Sequence, residues 1–385
     1  MKIVYCIKSL HHAGGMERVT TTKANYFAEQ GHDVTIVVTD LSRREPFFLL
    51  NPSIHVVDLS INYDEIDGTS RLRKYWHLYK HRKHHRKLLT EYLKQAQPDI
   101  TISTGYHEFS FLHSIKDGSV KVGEHHGSFG NIKKEHRFSS KNYLRRLMAW
   151  WATRSFASHA SRYDCMQLLT KEDASFWDGK IKHLQVIHNI VPIHSDITAP
   201  LSNKRCIVVA RFSHEKNLHE ILEIWAIVSA QHPDWELVFF GDGYLQQSLE
   251  DRARALKIDT SCHFYSPTNT ITQEYLQSSI LLMTSHSEGL PMVLLEAQEV
   301  GLPSICYAFH CGARDVICDA IEAPGFVVPY GDRHAFAEKL SLLMEDEELR
   351  YKMGQAAKAN AHRFSPEVIL PQWDALFQSL TKEKK

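Results

Sequence analysis

Glu288 and Glu296 bracket the segment Glu288-Gly289-Leu290-Pro291-Met292-Val293-Leu294-Leu295-Glu296, two carboxylates eight residues apart behind the apolar run Ile280-Leu281-Leu282-Met283. Carboxylates only accept hydrogen bonds, so a pair of them suits a polyol, which offers hydroxyl donors in several directions. A helix beginning near Pro291 would add free backbone N–H groups and the positive end of its dipole, a setting for a diphosphate or a sugar hydroxyl. Glu288 would then stand in the loop ahead of the helix and Glu296 about one turn inside it. Taken alone, Glu288 also reads as a helix cap and Glu296 as an ordinary helical carboxylate, so the elements around them must decide.

Residues 2–8 read as a β-branched strand, followed by the loop His11-His12-Ala13-Gly14-Gly15 and a helical pattern over 16–30. Gly31-His32 stops that helix, and residues 33–39 start another strand. Strand, glycine loop, helix and strand open a doubly wound α/β domain, whose ligands lie beyond the strand ends, so Gly14 and Gly15 are expected at a ligand crevice. Residues 98–103, 120–123 and 182–187 read as further strands, and the Pro-, Ser- and Thr-containing stretch 191–203 as a linker. The alternation then restarts with a strand over 206–210, a helix over 218–231 and a strand over 235–240 ended by Gly241-Asp242-Gly243. Strands over 263–265, 280–283, 304–307 and 325–328 continue it. The expectation is an α/β chain of two Rossmann-like, doubly wound domains, residues 1–192 and 203–365, facing a central cleft.

Length agrees, since 385 residues exceed what one core usually serves. Lys plus Arg and Asp plus Glu balance at 45 each, so no global field favours nucleic acid. The seven cysteines are odd in number and scattered, which fits a reducing compartment; Cys306, Cys311 and Cys318 lie closer together but lack the spacing and histidine pair of a zinc site. The first apolar run is too short for a signal sequence and no later one is long enough to span a bilayer, so a cytoplasmic protein is expected.

These elements together resemble glycosyltransferase family 4. Its second domain carries an E-x7-E element, matched by Glu288 and Glu296, and residues 206–364 match best. Val209-Ala210-Arg211-Phe212-Ser213-His214-Glu215-Lys216-Asn217 is similar to the family's strand-end Arg and Lys segment, Gly241-Asp242-Gly243 to its next strand-end turn, Gly14-Gly15-Met16-Glu17-Arg18 to its first-domain glycine loop, and Glu124-His125-His126 to an element with a histidine beside the reacting sugar. The resemblance implies the GT-B fold, with the last helix, 366–385, returning to the first (acceptor) domain. It implies a retaining hexosyl- or N-acetylhexosaminyltransferase of cell-surface polysaccharide or glycan synthesis, with a nucleoside-diphosphate sugar as donor, UDP first and GDP next.

The chemistry agrees with the roles so implied. Breaking a sugar–diphosphate bond builds negative charge on the leaving group, and Arg211 and Lys216 are the fixed cations to meet it. By resemblance Glu288 contacts the donor sugar, the backbone of Gly289, Leu290, Pro291, Met292, Val293 and Leu294 approaches sugar and phosphate, Glu296 holds the ribose, and Ser266 lies in the turn that meets the base. Gly15 would let the first domain approach the phosphates without a Cβ in the way. His125 is the candidate beside the reacting sugar, with the adjacent His126 as the alternative. Two departures, Ala210 and Ser266 where the family often has Gly, bear on the nucleotide pocket. There is no D-x-D motif, so neither metal nor cofactor is expected.

Residues 71–89 lack any acidic side chain and mix cations with aromatics, and a second basic stretch, 133–154, includes Leu144, Leu147, Met148, Trp150 and Trp151. Both read either as solvated or packing helices or as peripheral contacts with an anionic inner membrane leaflet, where a saccharide or lipid-diphosphate-linked saccharide acceptor would be met. Nucleic acid is the weaker explanation, because no recognition motif accompanies them. A dinucleotide oxidoreductase lacks its G-x-G-x-x-G here, and a non-catalytic nucleotide-sugar-binding protein would not need Arg211, Lys216, Glu288 and Glu296 intact.

Overall fold

Strands buried on both faces should be continuous apolar runs, and those are the segments at the centre of each sheet. The computed structural model describes residues 1–385 except 13, 42–43, 64–70, 129–142 and 384–385, and except the side chains of 71–75, 144–145, 149 and 383. The chain divides into two units, Met1–His188 with Ile369–Lys385, and Asn189–Val368.

In the first unit the elements run β1 (Lys2–Ile7), α1 (Gly15–Glu29), β2 (Asp33–Val38), β3 (His55–Asp58), α2 (Arg71–Ala96), β4 (Ile100–Ser103), β5 (Val120–His125), α3 (Tyr143–Ala160), β6 (Cys165–Leu168), α4 (Lys171–Trp177) and β7 (Leu184–Val186). The strands form one seven-stranded sheet in the order β3-β2-β1-β4-β5-β6-β7. Every pairing is parallel. Val4, Cys6, Phe109, Met166 and Trp177 lie in its core. Two of these strands escape the sequence reading. β3 is a short, half-exposed edge, and β6 carries a polar Gln167 that is nonetheless buried, its amide donating to the carbonyl of Ile187 at 2.5 Å.

The missing β6 also explains a corrected boundary. The sequence puts the end of β5 at Gly123 and His125 in the loop beyond it. Glu124 and His125 instead stay in the strand, paired with Gln167 and Leu168.

The second unit contains β8 (Arg205–Val209), α5 (Leu218–Val228), β9 (Glu236–Phe240), α6 (Gln246–Ala255), β10 (Cys262–Tyr265), α7 (Ile271–Leu276), β11 (Ile280–Met283), α8 (Met292–Glu299), β12 (Ser304–Tyr307), β13 (Gly325–Val328), α9 (Arg333–Glu345) and α10 (Glu347–Ala361). Its order, β10-β9-β8-β11-β12-β13, repeats that of the first six strands of the first unit. Both sheets therefore reverse direction of growth beside their first strand, between β1 and β4 and between β8 and β11. The core joins Val208, Phe212, Ile221, Trp225, Phe239 and Leu282.

The stretch read as a linker is docked on this unit. The N–H of Val191 donates to Phe364 at 2.8 Å, that of Ala199 to Val300 at 2.8 Å, and the Lys358 ammonium reaches the Ser195 carbonyl at 2.8 Å. Polar, Pro-containing sequence here marks chain without regular structure, not chain without partners. The closing helix α11 (Pro366–Glu383) lends its later residues to the first unit, where Phe377 packs on Phe27 with ring centroids 5.1 Å apart.

One buried acid sets a pH dependence. Glu108 follows β4, and burial pushes its carboxyl from 4.5 up to about 7, against the hydrogen bond that the Ser103 hydroxyl donates at 2.7 Å. Between those values the folded chain keeps a proton that the unfolded chain has lost, so this group lowers stability as pH rises through that window. Glu108→Gln is expected to leave the melting temperature nearly unchanged at about pH 4.5 and to raise it at about pH 8, by no more than about 3 kcal/mol of stability; paired calorimetric scans check it.

Candidate active site

The reversal between β8 and β11 separates two neighbouring strand ends, and the loops leaving them are tied together. After β8 the chain makes a single 3-10 turn, His214–Lys216, and then Asn217 takes a left-handed conformation with φ of +52° before α5 begins. Asn tolerates that region better than most side chains. Its amide donates to the carbonyl of Thr284 at 3.2 Å, and the Thr284 hydroxyl returns a bond to the Asn217 carbonyl at 3.0 Å. One step further out the His286 N–H donates to Glu215 at 2.9 Å. These bonds bring Lys216 to Glu288, with Nζ 2.6 Å from Oε1 and both side chains largely buried. An ammonium has three N–H donors, so Lys216 keeps donors for a second anion beside the carboxylate it already holds.

Glu288 does not cap the helix that follows. Pro291 is the N-cap of α8, no side chain caps it, and the first turn carries no acidic residue. Glu296 stands one turn inside and accepts from the Tyr275 hydroxyl at 2.7 Å. Gly312, with φ of +94°, lets the loop after β12 press on this turn: a Cβ there would lie 2.5 Å from Pro291 Cδ and 3.1 Å from the Gly289 carbonyl. Of the remaining residues, Leu290 and Leu294 are buried, whereas Met292 and Val293 are half-exposed at the N-terminus.

Arg211 is exposed at the end of β8, and its loop is clamped by the turn after β9. The Phe212 N–H donates to Asp242 at 2.6 Å and the Leu245 N–H to Phe212 at 3.1 Å. This contact requires Gly241 and Gly243, where a Cβ would fall 1.9 Å from the Ala210 carbonyl oxygen and 2.4 Å from that of Phe212. Ser266 is exposed just beyond β10, next to Tyr265 stacked on Phe240 with centroids 5.1 Å apart. Sequence reasoning missed His286 and Tyr330, whose imidazole Nδ1 and hydroxyl are hydrogen-bonded, with the His286 ring 5.0 Å from that of His214. It also missed Tyr275; a lone tyrosine carries no motif.

In the first unit Gly14 is the N-cap of α1, and Gly15 its first residue. The space of a Gly14 Cβ is taken by the Glu17 carboxylate, whose Oε2 would lie 2.1 Å away. Backbone here thus makes room for an acid of the same helix. His125 and His126 go to opposite faces of β5, as successive strand residues do. His125 meets Phe156 with centroids 4.9 Å apart; its Nε2 is buried without a partner, and burial, then His126, pulls its pKa down to about 4. His126 Nε2 is 2.8 Å from Glu124 Oε2. Among the described residues no group of three or more His, Cys, Asp or Glu is placed to hold a metal ion.

Two parallel doubly wound units, each reversing its strand order beside its first strand, are the architecture of the GT-B class. Comparison with solved structures supports the fold: sucrose-phosphate synthase from Thermosynechococcus elongatus superposes with a TM-score of 0.80 at 15% identity over 99% of both chains, and TarM with 0.76 at 15% identity over 98% of both. The model "Glycosyltransferase Family 4" matches residues 13–194 and "Glycosyl transferases group 1" residues 192–360. Similar proteins include the amylovoran biosynthesis glycosyltransferase AmsD of Erwinia amylovora, 26% identical over 97% of this chain and 98% of its own. A Campylobacter jejuni α-1,4-N-acetyl-D-galactosaminyltransferase is also 26% identical, over 97% of each chain. The chain belongs to glycosyltransferase family 4, and it is a glycosyltransferase that takes its sugar from a nucleoside-diphosphate donor.

The clamp between the two glycine-dependent turns is testable apart from catalysis. Gly243→Ala, at φ of +147° and against the Phe212 carbonyl, is expected to destabilise the second unit by about 1–3 kcal/mol in urea unfolding. Gly331→Ala, at φ of +80° but with open space around it, is expected to cost only its backbone strain, about 1 kcal/mol.

Proposed function

We propose that this enzyme is a retaining hexosyl- or N-acetylhexosaminyltransferase that uses a UDP-linked donor, with GDP as the next choice, and extends a saccharide or lipid-diphosphate-linked saccharide. The observation that carries the donor reading is the Lys216–Glu288 pair at 2.6 Å, set beside the uncapped N-terminus of α8 with Glu296 one turn in. Lys216 and the first-turn amides of α8 offer positive charge to a diphosphate, and Glu288 and Glu296 offer acceptors to sugar and ribose hydroxyls. Arg211, one loop away, adds a second cation.

In the step we propose, the bond from the anomeric carbon to the diphosphate oxygen breaks as the acceptor oxygen bonds to that carbon on the same face. The acceptor proton passes to the leaving phosphate. Charge grows on that phosphate as the bond breaks, so Lys216 and Arg211 act more strongly on the transition state than on the bound donor. One of the adjacent histidines, His125 or His126, serves the reacting sugar.

The acceptor reading has separate support. The Campylobacter relative is named for a saccharide carried on PP-undecaprenol. On α3, Tyr143, Leu147, Met148, Trp150 and Trp151 are 38–73% exposed, and their spacing places them along one side of the helix. Trp76 and Tyr79 are exposed on α2, with the Lys80 ammonium 3.4 Å over the Trp76 ring. Aromatic side chains interleaved with cations fit the headgroup level of an anionic membrane, and we propose peripheral contact there from the cytoplasmic side. Part of the second basic stretch, residues 133–142, lies outside the described residues. Among the described residues no helix is long and apolar enough to cross a membrane.

Thermal shifts with UDP, GDP, ADP, CMP and NAD, each with and without EDTA, test the donor site. One nucleoside diphosphate is expected to give a saturable, EDTA-insensitive shift that Glu296→Ala weakens at least about tenfold in apparent affinity; a response to NAD alone, or to none, overturns the reading. Sedimentation with phosphatidylglycerol vesicles tests the membrane contact: Trp150→Ser with Trp151→Ser, or Lys80→Glu with Lys83→Glu, is expected to release most of the bound protein at about 0.1 M salt. Unchanged pelleting of both variants overturns it.

A further inference from the structure

Lys23 is the least expected side chain of the first unit, an ammonium 1% exposed in the middle of α1. A buried cation needs a compensating anion and hydrogen bonds. Lys23 finds Glu124 of β5, with Nζ 2.5 Å from Oε1, and that carboxylate is itself fully buried. The other oxygen, Oε2, is 2.8 Å from His126 Nε2. Behind the ammonium stands Trp373 of α11, with Nζ 4.2 Å from the ring centroid, and Tyr5 of β1 lies at 5.6 Å on the same group. The four elements α11, α1, β1 and β5 thus meet in one line of contacts that ends on an imidazole.

Charge follows the same line. Burial alone would push the Glu124 carboxyl up, but Lys23 and the hydrogen bond from His126 outweigh it and hold it down to about 2. Burial pulls Lys23 down, and Glu124 opposes that pull. Glu124 is therefore a carboxylate at neutral pH, and a carboxylate only accepts, so His126 must carry its proton on Nε2. The remaining ring nitrogen, Nδ1, is on the other side of the imidazole. His125 is held differently: it faces the aromatic side of the sheet against Phe156, with a hydrogen bond to the backbone of Ser128 and no carboxylate partner.

We propose that Lys23 and Glu124 are positioning residues that fix the orientation and tautomer of His126, that His126 is the histidine of the adjacent pair that meets the substrate through Nδ1, and that Trp373 holds Lys23 in place. This rests on the reading above that one of those histidines serves the reacting sugar. The ring is presented in one state before the donor arrives, so no reorientation is needed at the moment of transfer.

The variant that removes the carboxylate alone, Glu124→Gln, leaves an unpaired buried ammonium and is expected to melt early. Lys23→Met with Glu124→Gln removes both charges at little cost in fold stability. With histidine-labelled protein, the His126 ring nitrogens identified by their loss in His126→Asn, nitrogen NMR is expected to show the Nε2–H form in wild type and a mixture of tautomers in the double variant. With the donor chosen by the nucleotide screen, the double variant is expected to lose about 10²-fold in kcat for donor turnover with donor KM within about twofold. Trp373→Leu is expected to lose about tenfold. A double variant that keeps the wild-type tautomer and kcat overturns the proposal, as does an enzyme that tolerates His126→Asn but not His125→Asn. If the nitrogen spectra follow expectation while neither histidine affects turnover, the positioning stands and the reading of the pair as a substrate contact fails instead.

Discussion

The reciprocal bonds between Asn217 and Thr284 close the gap that strand order opens in the second sheet. Where β11 is added on the opposite side of β8 from β9, two loops leave neighbouring strand ends in different directions, and only side-chain and backbone bonds between them define a surface. Everything assigned to the donor hangs on that closure. Lys216 precedes Asn217 by one residue and Glu288 follows Thr284 by four, so the ion pair between them is drawn together by a neutral hydrogen-bonded pair rather than by its own attraction. A largely buried ion pair repays the desolvation of its charges only when its geometry is well fixed.

The surrounding loops supply the rest by close approach. Gly241, Gly243 and Gly312 sit where a Cβ would overlap a neighbouring backbone or a proline ring, so four loops approach closely in two pairs. Such close main-chain approach fixes the loop of Arg211, the Gly289 turn and the start of α8 without relying on flexible side chains, at the backbone-entropy cost that glycine carries. The first unit solves a similar task differently. There a buried charged line from Lys23 through Glu124 reaches His126, and a closing aromatic residue covers its far end.

The alternation of apolar strands with helices was readable throughout the second unit because β8, β9, β11 and β12 are buried and uninterrupted. The proposed site residues Arg211, Lys216 and Glu288 stood out for the same reason, each lying within a few positions beyond such a strand. Legibility failed where a strand is short or interrupted by a polar side chain, as at β3 and at Gln167 of β6, and missing β6 then placed the end of β5 two residues early. That displacement hid the more informative fact that Glu124 and His126 share a face. Lys23 was invisible for another reason. Helical periodicity treats a lysine as solvent-facing, and its anion is 101 residues away in sequence. The docking of 191–203 on the second unit was equally hidden, because backbone hydrogen bonds to Phe364 and Val300 leave no trace in composition.

The second unit is a single uninterrupted stretch, Asn189–Val368, whereas the first is completed by residues from Ile369 onward. Synthesis from the N-terminus therefore delivers the two units out of order. The seven strands of the first sheet emerge early, yet Lys23 and Phe27 keep an open flank until Trp373 and Phe377 have been made. The second unit has its whole sequence available before that happens and can settle independently. On the ribosome, the half of the enzyme that is translated first is the half that matures last.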